Sequence, residues 1–475
     1  MYTDFMRYFK QSLGERMSKN TNDPIIVVGA GLAGSLMATY LSQQGFNVQV
    51  YEKREDMRED QLTVGLSINL ALSPRGIKPL QEVGAIDDIM KIAIPMRGRM
   101  IHEPNGSLVF QPYGKDETEV INSVSRAELN KKLMDFAEKG NLKIHFNMNC
   151  TGFNTQTGEV ELENTITGEK KTVIGQTVIS ADGAGSAVRY SMQRLPRFNF
   201  SQHFLEHGYK ELTIPPGPNG EHQIEKNALH IWPRGTYMLI ALPNPDGSFT
   251  ATLFLPYEGE FGFDSLTSKE KVKHFFATNF TDVVPLMPTL LDDFENNPTG
   301  LLGTIRCYPW HTTDKGLLIG DAAHAIVPFY GQGMNAAFED CRILNDLINA
   351  HGSDWQTIFP KISKMRKNNA DAIADLALDN FIEMRDKVAN EHFLLMKQAE
   401  LKLYETYPTE IKSKYTMVTF THMPYKEAKE KGEILLDVVE EFCEGITSLE
   451  EFDIENAYKE VMTRYRDWSY YNQED

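Results

Sequence analysis

The chain has 475 residues, with 48 Lys plus Arg against 66 Asp plus Glu and a formal net charge of −18. An acidic surface repels phosphate backbones, so nucleic acid is excluded as an expected partner. The four cysteines, Cys150, Cys307, Cys341 and Cys443, form no CxxC pair and sit at no metal-ligand spacing, which argues against a disulfide framework or a zinc site and fits a reducing cytoplasm.

With 41% hydrophobic residues the chain can build the cores of two or three domains. No run approaches the roughly 18 apolar residues of a membrane span, so no transmembrane anchor is expected. Residues 1–22 mix charges with aromatics, lack a continuous apolar stretch and read as an N-terminal extension rather than a secretory signal. Whether synthesis starts at Met1 or Met17 stays open.

The first strong element is a short apolar strand, Pro24 to Val28, that stops at Gly29. A helix from Gly34 to about Gln44 follows, closed by Gly45, and then a strand from Asn47 to Tyr51 ending at Glu52. Strand, glycine turn, helix and strand make a βαβ unit that opens a parallel sheet. Ser125 is placed to cap a helix carrying Arg126, Leu129, Leu133 and Phe136 at helical spacing. Strand patterns recur at Lys143–Asn147, Gly158–Glu163 and Lys171–Ser180. Between Gly208 and Tyr257 short alternating runs (Tyr209–Ile214, Ala228–Trp232, Tyr237–Leu242, Phe249–Leu255) are broken by Pro/Gly/Asn turns, an antiparallel meander of different architecture. Gly316–Ile319 returns to the first domain, and from about Met334 the pattern is helical.

Three motifs in this frame point to one ligand. Gly29-Ala30-Gly31-Leu32-Ala33-Gly34 is a complete G-x-G-x-x-G between strand and helix, followed by Glu52 where an acidic residue would bind ribose hydroxyls. Its glycines let backbone approach a pyrophosphate at the helix N-terminus. Asp182-Gly183 ends the Lys171–Ser180 strand, although Asp-Gly alone is more often an ordinary turn. Gly320-Asp321 ends the returning strand, and Pro328-Phe329-Tyr330-Gly331-Gln332-Gly333 leads into a helix at Met334-Asn335. The positive end of that helix would favour an anionic group. His324 lacks partners at metal-ligand spacing, and a packing or hydrogen-bonding role is expected for it.

Together these residues resemble the group A flavoprotein monooxygenases, FAD-dependent aromatic hydroxylases related to para-hydroxybenzoate hydroxylase. The expected fold is α/β: a Rossmann-like FAD-binding domain, a second antiparallel-sheet substrate domain and a helical C-terminal region. Its expected boundaries are 1–22 for the extension, 23–200 and 301–350 for the FAD-binding domain, 201–300 for the substrate domain and 351–475 for the helical region, with 95–115 contributing to the substrate site. The resemblance implies cofactor contacts from Gly29, Gly31, Ala33, Gly34, Tyr51, Glu52, Lys53, Arg54, Ala71, Arg126, Cys150, Asp182, Gly183, Asp321, Gly333, Met334 and Asn335, with Pro328, Phe329 and Tyr330 lining the flavin edge.

A narrower resemblance, from about Pro24 to Tyr425, is to the kynurenine 3-monooxygenases. It is carried by Ser67–Ser73, Pro95–Met100, Gln111–Gly114, His207–Leu212, Leu229–Pro233 and Tyr415–Phe420. It implies that Arg99, Tyr113, Asn380 and Tyr425 hold an amino acid's carboxylate, with Leu229, Met238, Ile240, Phe254 and Met384 around the ring. Guanidinium matches a carboxylate bidentately, in keeping with that role. Period-two alternation puts Met238, Ile240 and Leu242 on one strand face, which by itself suits plain core as well as a binding slot. The implied reaction is NADPH- and O2-dependent hydroxylation of L-kynurenine to 3-hydroxykynurenine through a flavin C4a-hydroperoxide, without an enzymic general base. The alternative is another aromatic amino acid or a phenol. Two departures stand out: Leu66, where the family usually has Arg, and Tyr330, where relatives carry Phe or His. Oligomeric state, a homodimer among the options, the NADPH docking site, and service in tryptophan degradation or in pyridine nucleotide (NAD) biosynthesis stay open.

Overall fold

The computed structural model describes residues 23–59, 69–114, 119–140, 142–383 and 391–472; counts and absences below are of these residues. The N-terminal extension, Leu66 and Met384 fall outside them.

Strand β1 (Ile25–Val28) is apolar and wholly buried, and it pairs in parallel with β2 (Val48–Tyr51) and β12 (Thr177–Ser180). β8 (Lys143–His145) extends the sheet beyond β2. On the other side come β19 (Gly316–Leu318) and the antiparallel edge β18 (His311–Thr312), giving six strands in the order β18-β19-β12-β1-β2-β8. Parallel strands end on the same edge, which is why three motifs far apart in sequence meet there. The stretch expected as one strand to Ser180 is two, β11 (Lys170–Val173) and β12. Gly175 lies between them, where a Cβ would stand 2.1 Å from the Pro24 carbonyl oxygen.

The second domain is a seven-stranded sheet: β17 (Thr299–Tyr308), β13 (Asn199–Ile214), β16 (Phe249–Pro256), β15 (Met238–Pro243), β14 (Ala228–Pro233), β5 (Gly98–His102) and β6 (Leu108–Pro112), in that order. All neighbours are antiparallel except β14 and β5, which run parallel because β5 arrives from the first domain rather than through a hairpin. Its outer face, with Trp232, Leu239 and Leu253, packs on the helices Lys269–Asn279 and Leu290–Asn296. Met238 and Phe254 point the other way, into a core shared with Val327, Tyr330 and Phe381. Two three-stranded sheets, β3 (Asn69–Leu72) with β7 (Ile121–Ser125) and β4 (Ala93–Met96), and β9 (Met148–Phe153) with β10 (Val160–Asn164) and β11, flank the junction.

The C-terminal helices Glu391–Thr406, Tyr425–Cys443 and Ile454–Tyr471 bury a core of their own around Leu403, Leu435, Val439 and Val461. No helix is long and apolar enough to cross a membrane. Beneath the junction, four buried charges join three helices. Arg75 and Arg366 both reach Glu339 at 2.5 Å, and Arg366 Nε donates to Asp340 at 2.6 Å. His324 Nε2 lies 2.5 Å from Asp340 and its ring stacks on Trp310, the packing and hydrogen-bonding role its sequence context suggested.

Candidate active site

A single cavity of about 640 Å3 runs from the carboxyl edge of the six-stranded sheet to the inner face of the seven-stranded one. At the sheet end its wall is bare backbone. A Cβ at Gly31, Gly183 or Gly185 would meet nothing within 4 Å, and Gly29 has φ +96° with a Cβ position 2.6 Å from the Ala181 carbonyl oxygen. Only glycine serves at Gly29. The Leu32–Gln43 helix begins at Gly31 without a side-chain cap, and the Gly333–His351 helix begins at Gln332 likewise. Two helix N-termini therefore present unpaired N–H groups and positive partial charge at or beside the cavity wall, one near each end of the space a dinucleotide needs.

The polar residues of this half are already engaged in shaping it. Glu52 accepts the Ala30 N–H at 2.8 Å and the Arg54 N–H at 3.0 Å, so its carboxylate is fixed beside the glycine turn. Asp182 accepts the Ala187 N–H at 2.9 Å and the Ser180 hydroxyl. Gly320 donates to Asp340 at 3.1 Å, which seats the turn that presents Asp321. Ala33, Tyr51, Lys53, Arg54, Ala71, Arg126, Cys150, Asp321, Gly333 and Met334 also line the cavity. Burial pushes the Cys150 thiol up to about 12, so it is an inert wall rather than a nucleophile.

Two residues expected at the cofactor are not on the wall. Gly34 faces the turn, its Cβ position 1.9 Å from the Gly29 carbonyl oxygen, so it permits close helix–turn packing. Asn335 is a buried staple: its amide donates to the Ala71 and Gly331 carbonyls at 2.8 and 2.9 Å and accepts the Ser73 N–H at 3.1 Å. It holds two wall segments together from behind.

At the far end Leu229, Met238, Ile240 and Phe254 form an apolar slot, joined by Met96 and Leu242. Met238 and Phe254 are register partners on adjacent strands. Pro328, Phe329 and Tyr330 separate slot from sheet, and Phe329 stacks on Phe381 at 4.3 Å. Arg99 projects from β5 into the cavity and its Nε has no hydrogen-bond partner among the described residues. Its guanidinium lies 4.9 Å from the Tyr415 ring and 5.8 Å from Tyr113. Tyr113, Tyr415 and Tyr330 stack in a column with centroids 5.7 and 5.6 Å apart. Burial pushes all three phenols above their ordinary value, which keeps them neutral and able to donate. A cation with two phenol donors is a match for a carboxylate.

Tyr415, in the short helix Lys414–Phe420, occupies the place expected for Tyr425. Tyr425 is fully buried outside the cavity: Arg75 lies 4.0 Å over its ring and its hydroxyl donates to Gln332 Oε1 at 2.9 Å. Asn380 is also off the wall, donating to the Phe329 carbonyl at 2.7 Å and so bracing the turn between slot and sheet. Neither side chain lines the cavity, whereas Tyr415 does. Tyr415 lay within a segment that carried the resemblance, but no local pattern separated it from a tyrosine ten positions on.

The fold and cavity define an FAD-dependent aromatic hydroxylase. An FAD binding domain family matches residues 22–204 and 305–355. The solved structure of a tetrameric 2-methyl-3-hydroxypyridine-5-carboxylic acid oxygenase superposes with TM-score 0.64 at 19% identity, over 78% of this chain and 95% of that one. A p-nitrophenol 4-monooxygenase from Pseudomonas putida gives 0.61 at 17% identity, over 77% and 91%. At such identities the likeness establishes the fold. The chain is 46% identical over 449 residues to a kynurenine 3-monooxygenase of Myxococcus xanthus, covering 94% of this chain and 97% of the relative. It is 48% identical over 417 residues to one from Flavobacterium psychrophilum (88% and 93%) and 46% over 437 residues to one from Dictyostelium discoideum (89% and 94%). The chain belongs to the kynurenine 3-monooxygenase family.

Proposed function

We propose that this enzyme hydroxylates L-kynurenine to 3-hydroxykynurenine with FAD, NADPH and O2. The observation that carries the reading is the continuity of one cavity, from glycine-walled backbone to a clamp of Arg99, Tyr113 and Tyr415, with an apolar slot between them. When bound, FAD would supply the redox chemistry: hydride acceptance from NADPH and activation of O2 for transfer of one oxygen.

The chain's own residues supply position and dryness. Gly29, Gly31 and Gly183 would leave room for the cofactor's phosphates, Glu52 would hold its ribose, and the Gly333–His351 helix N-terminus would favour negative charge on the flavin. Arg99 and the two phenols anchor the substrate's carboxylate, so the ring lies against Met238, Ile240 and Phe254 with one edge toward Pro328–Tyr330. Anchoring one end decides which ring carbon faces the flavin, and a misplacement of about 1 Å costs roughly a hundredfold in rate. Kynurenine's aryl amine enriches the carbon ortho to it, so an electrophilic oxygen reacts there without a protein base. The apolar slot excludes water from the reacting atoms.

Anaerobic reduction of the enzyme-bound flavin by NADPH, with and without L-kynurenine, tests the reading when followed by the mass of the aerobic product. Kynurenine should accelerate reduction and gain one oxygen atom. Equal rates and an unmodified substrate would refute it.

A further inference from the structure

On the outer face of the seven-stranded sheet, away from the cavity, two imidazoles form a hydrogen-bond chain that the proposed reaction does not use. His102 Nδ1 lies 2.8 Å from Asp282 Oδ2, His102 Nε2 2.8 Å from His230 Nδ1, and His230 Nε2 2.8 Å from the Glu225 carbonyl oxygen. Both ends of the chain are acceptors. The carbonyl has no proton to give, and Asp282, although burial alone would raise it, is held below its ordinary value by the Trp232 indole N–H at 2.8 Å and by His102, so it is a carboxylate at neutral pH. Three contacts need three ring protons, and two neutral imidazoles carry only two. With two, one contact sets a bare lone pair against another at hydrogen-bond distance, beside rings that are 5% and 2% exposed.

We propose that His102 and His230 together hold one proton more than two neutral rings at neutral pH, and that this filled chain positions β5, and with it Arg99, for the substrate's carboxylate. The second half rests on the carboxylate role proposed for Arg99; the proton count does not.

The charge belongs on His102. Burial, aided by the nearby His102, pushes His230 down to about 4, so His230 is the neutral ring that donates from Nε2 to Glu225 and accepts at Nδ1. His102 must then donate at both nitrogens. Burial is the largest influence on it and, with Arg234, whose Nη1 donates to the His102 carbonyl at 2.9 Å, holds His102 below its ordinary value although Asp282 favours charge; the proton count of the chain argues the other way. The alternative, Nδ1 without a proton facing a carboxylate oxygen, is the worse one in a buried site. The Glu225 carboxylate also favours charge on His230, whereas the rings packed on the pair, Trp232 stacked on His102 at 3.9 Å and Phe249 edge-on to His230 at 5.6 Å, carry none.

The chain is placed to matter for Arg99. β5 is held on one side by β6, all five of whose residues are exposed, and on the other by β14, where Leu229 is the register partner of Arg99 and His230 that of Met100. The imidazoles tie β5 to β14 and to the Asp282 segment behind them. Arg234 adds a second tie through the Asn279 carbonyl at 2.6 Å.

The test is 15N-histidine NMR on the FAD-loaded enzyme. Magnetisation transfer from the Trp232 indole proton identifies His102 without any variant. Three imidazole N–H protons along the chain near pH 7 are expected, and finding two overturns the proposal. As pH rises and the third proton leaves, KM for L-kynurenine should climb several-fold while kcat and bound FAD stay nearly constant. His102→Gln should raise KM about tenfold and abolish that pH dependence. A folded, FAD-loaded His102→Gln enzyme with the wild-type KM profile breaks the link to Arg99. Arg99→Ala reports separately on the carboxylate role itself.

Discussion

Tyr415→Phe and Tyr425→Phe make a decisive pair because each deletes one oxygen and leaves a ring in place. In the proposed clamp the Tyr415 hydroxyl donates to a carboxylate, and a hydrogen bond to a charged group contributes about 1.5–3 kcal/mol. At about 1.4 kcal/mol per decade, its loss should raise KM for L-kynurenine roughly 10- to 100-fold. The Phe ring keeps its stack between Tyr113 and Tyr330, so folding and FAD content should hold. Tyr425→Phe instead leaves Gln332 Oε1 without its partner at a fully buried site. That should cost about 1–3 kcal/mol of stability and change KM little. Steady-state kinetics with thermal unfolding of both variants is the assay. A larger KM effect from Tyr425→Phe than from Tyr415→Phe would refute the reasoning and restore Tyr425 to the substrate.

Arg99→Ala should retain FAD yet lose the stimulation of NADPH oxidation by kynurenine; full stimulation in that variant removes Arg99 from the clamp. Glu52→Ala frees the Ala30 N–H as well as the ribose contact and should lower flavin stoichiometry after purification, so an unchanged flavin-to-protein absorbance ratio would dismiss the ribose assignment. Asp340 is fully buried, and although burial alone would raise its value, His324 and Arg366 outweigh that and hold it at about 2. A depressed carboxylate contributes stability above its unfolded value, lost as pH falls through the folded one. The destabilisation of Asp340→Asn relative to wild type should therefore be full at neutral pH, of order 2–3 kcal/mol from this group, and shrink below about pH 4. A constant difference across that window in chemical denaturation would contradict it. All four cysteines are buried, with Cys150 and Cys307 pushed up to about 12 by burial, so iodoacetamide near pH 8 should label none before unfolding. Rapid labelling of the native enzyme would show the site to be open.

What was legible in the sequence was whatever local pattern determines. The glycine turn, Glu52, Asp182 and Asp321 are strand-end features, and parallel pairing of β1, β12 and β19 brings strand ends together. Met238 and Ile240 share a face by alternation, and that face proves to be both packed core and cavity wall, because a substrate slot is core with a space left in it. What was not legible depended on how helices dock. Tyr415 and Tyr425 differ by ten positions, and only the turn between the Lys414–Phe420 and Tyr425–Cys443 helices sends one ring to the cavity and the other under Arg75. Asn380 and Asn335 were expected as ligand contacts from the family resemblance; here they also bind carbonyls of the wall, which needs tertiary geometry to see.

The lattice of Arg75, Glu339, Arg366 and Asp340 sums to zero charge, and that constrains how such a protein can diverge. Neutralising any one member leaves the interior with an unbalanced charge, at a cost of order a few kcal/mol, whereas exchanging partners together for well-packed apolar groups is often neutral or better. Drift through single substitutions is therefore blocked while the concerted route stays open, so the quartet should be inherited or replaced as a block. Stabilising redesign of this enzyme should treat it the same way.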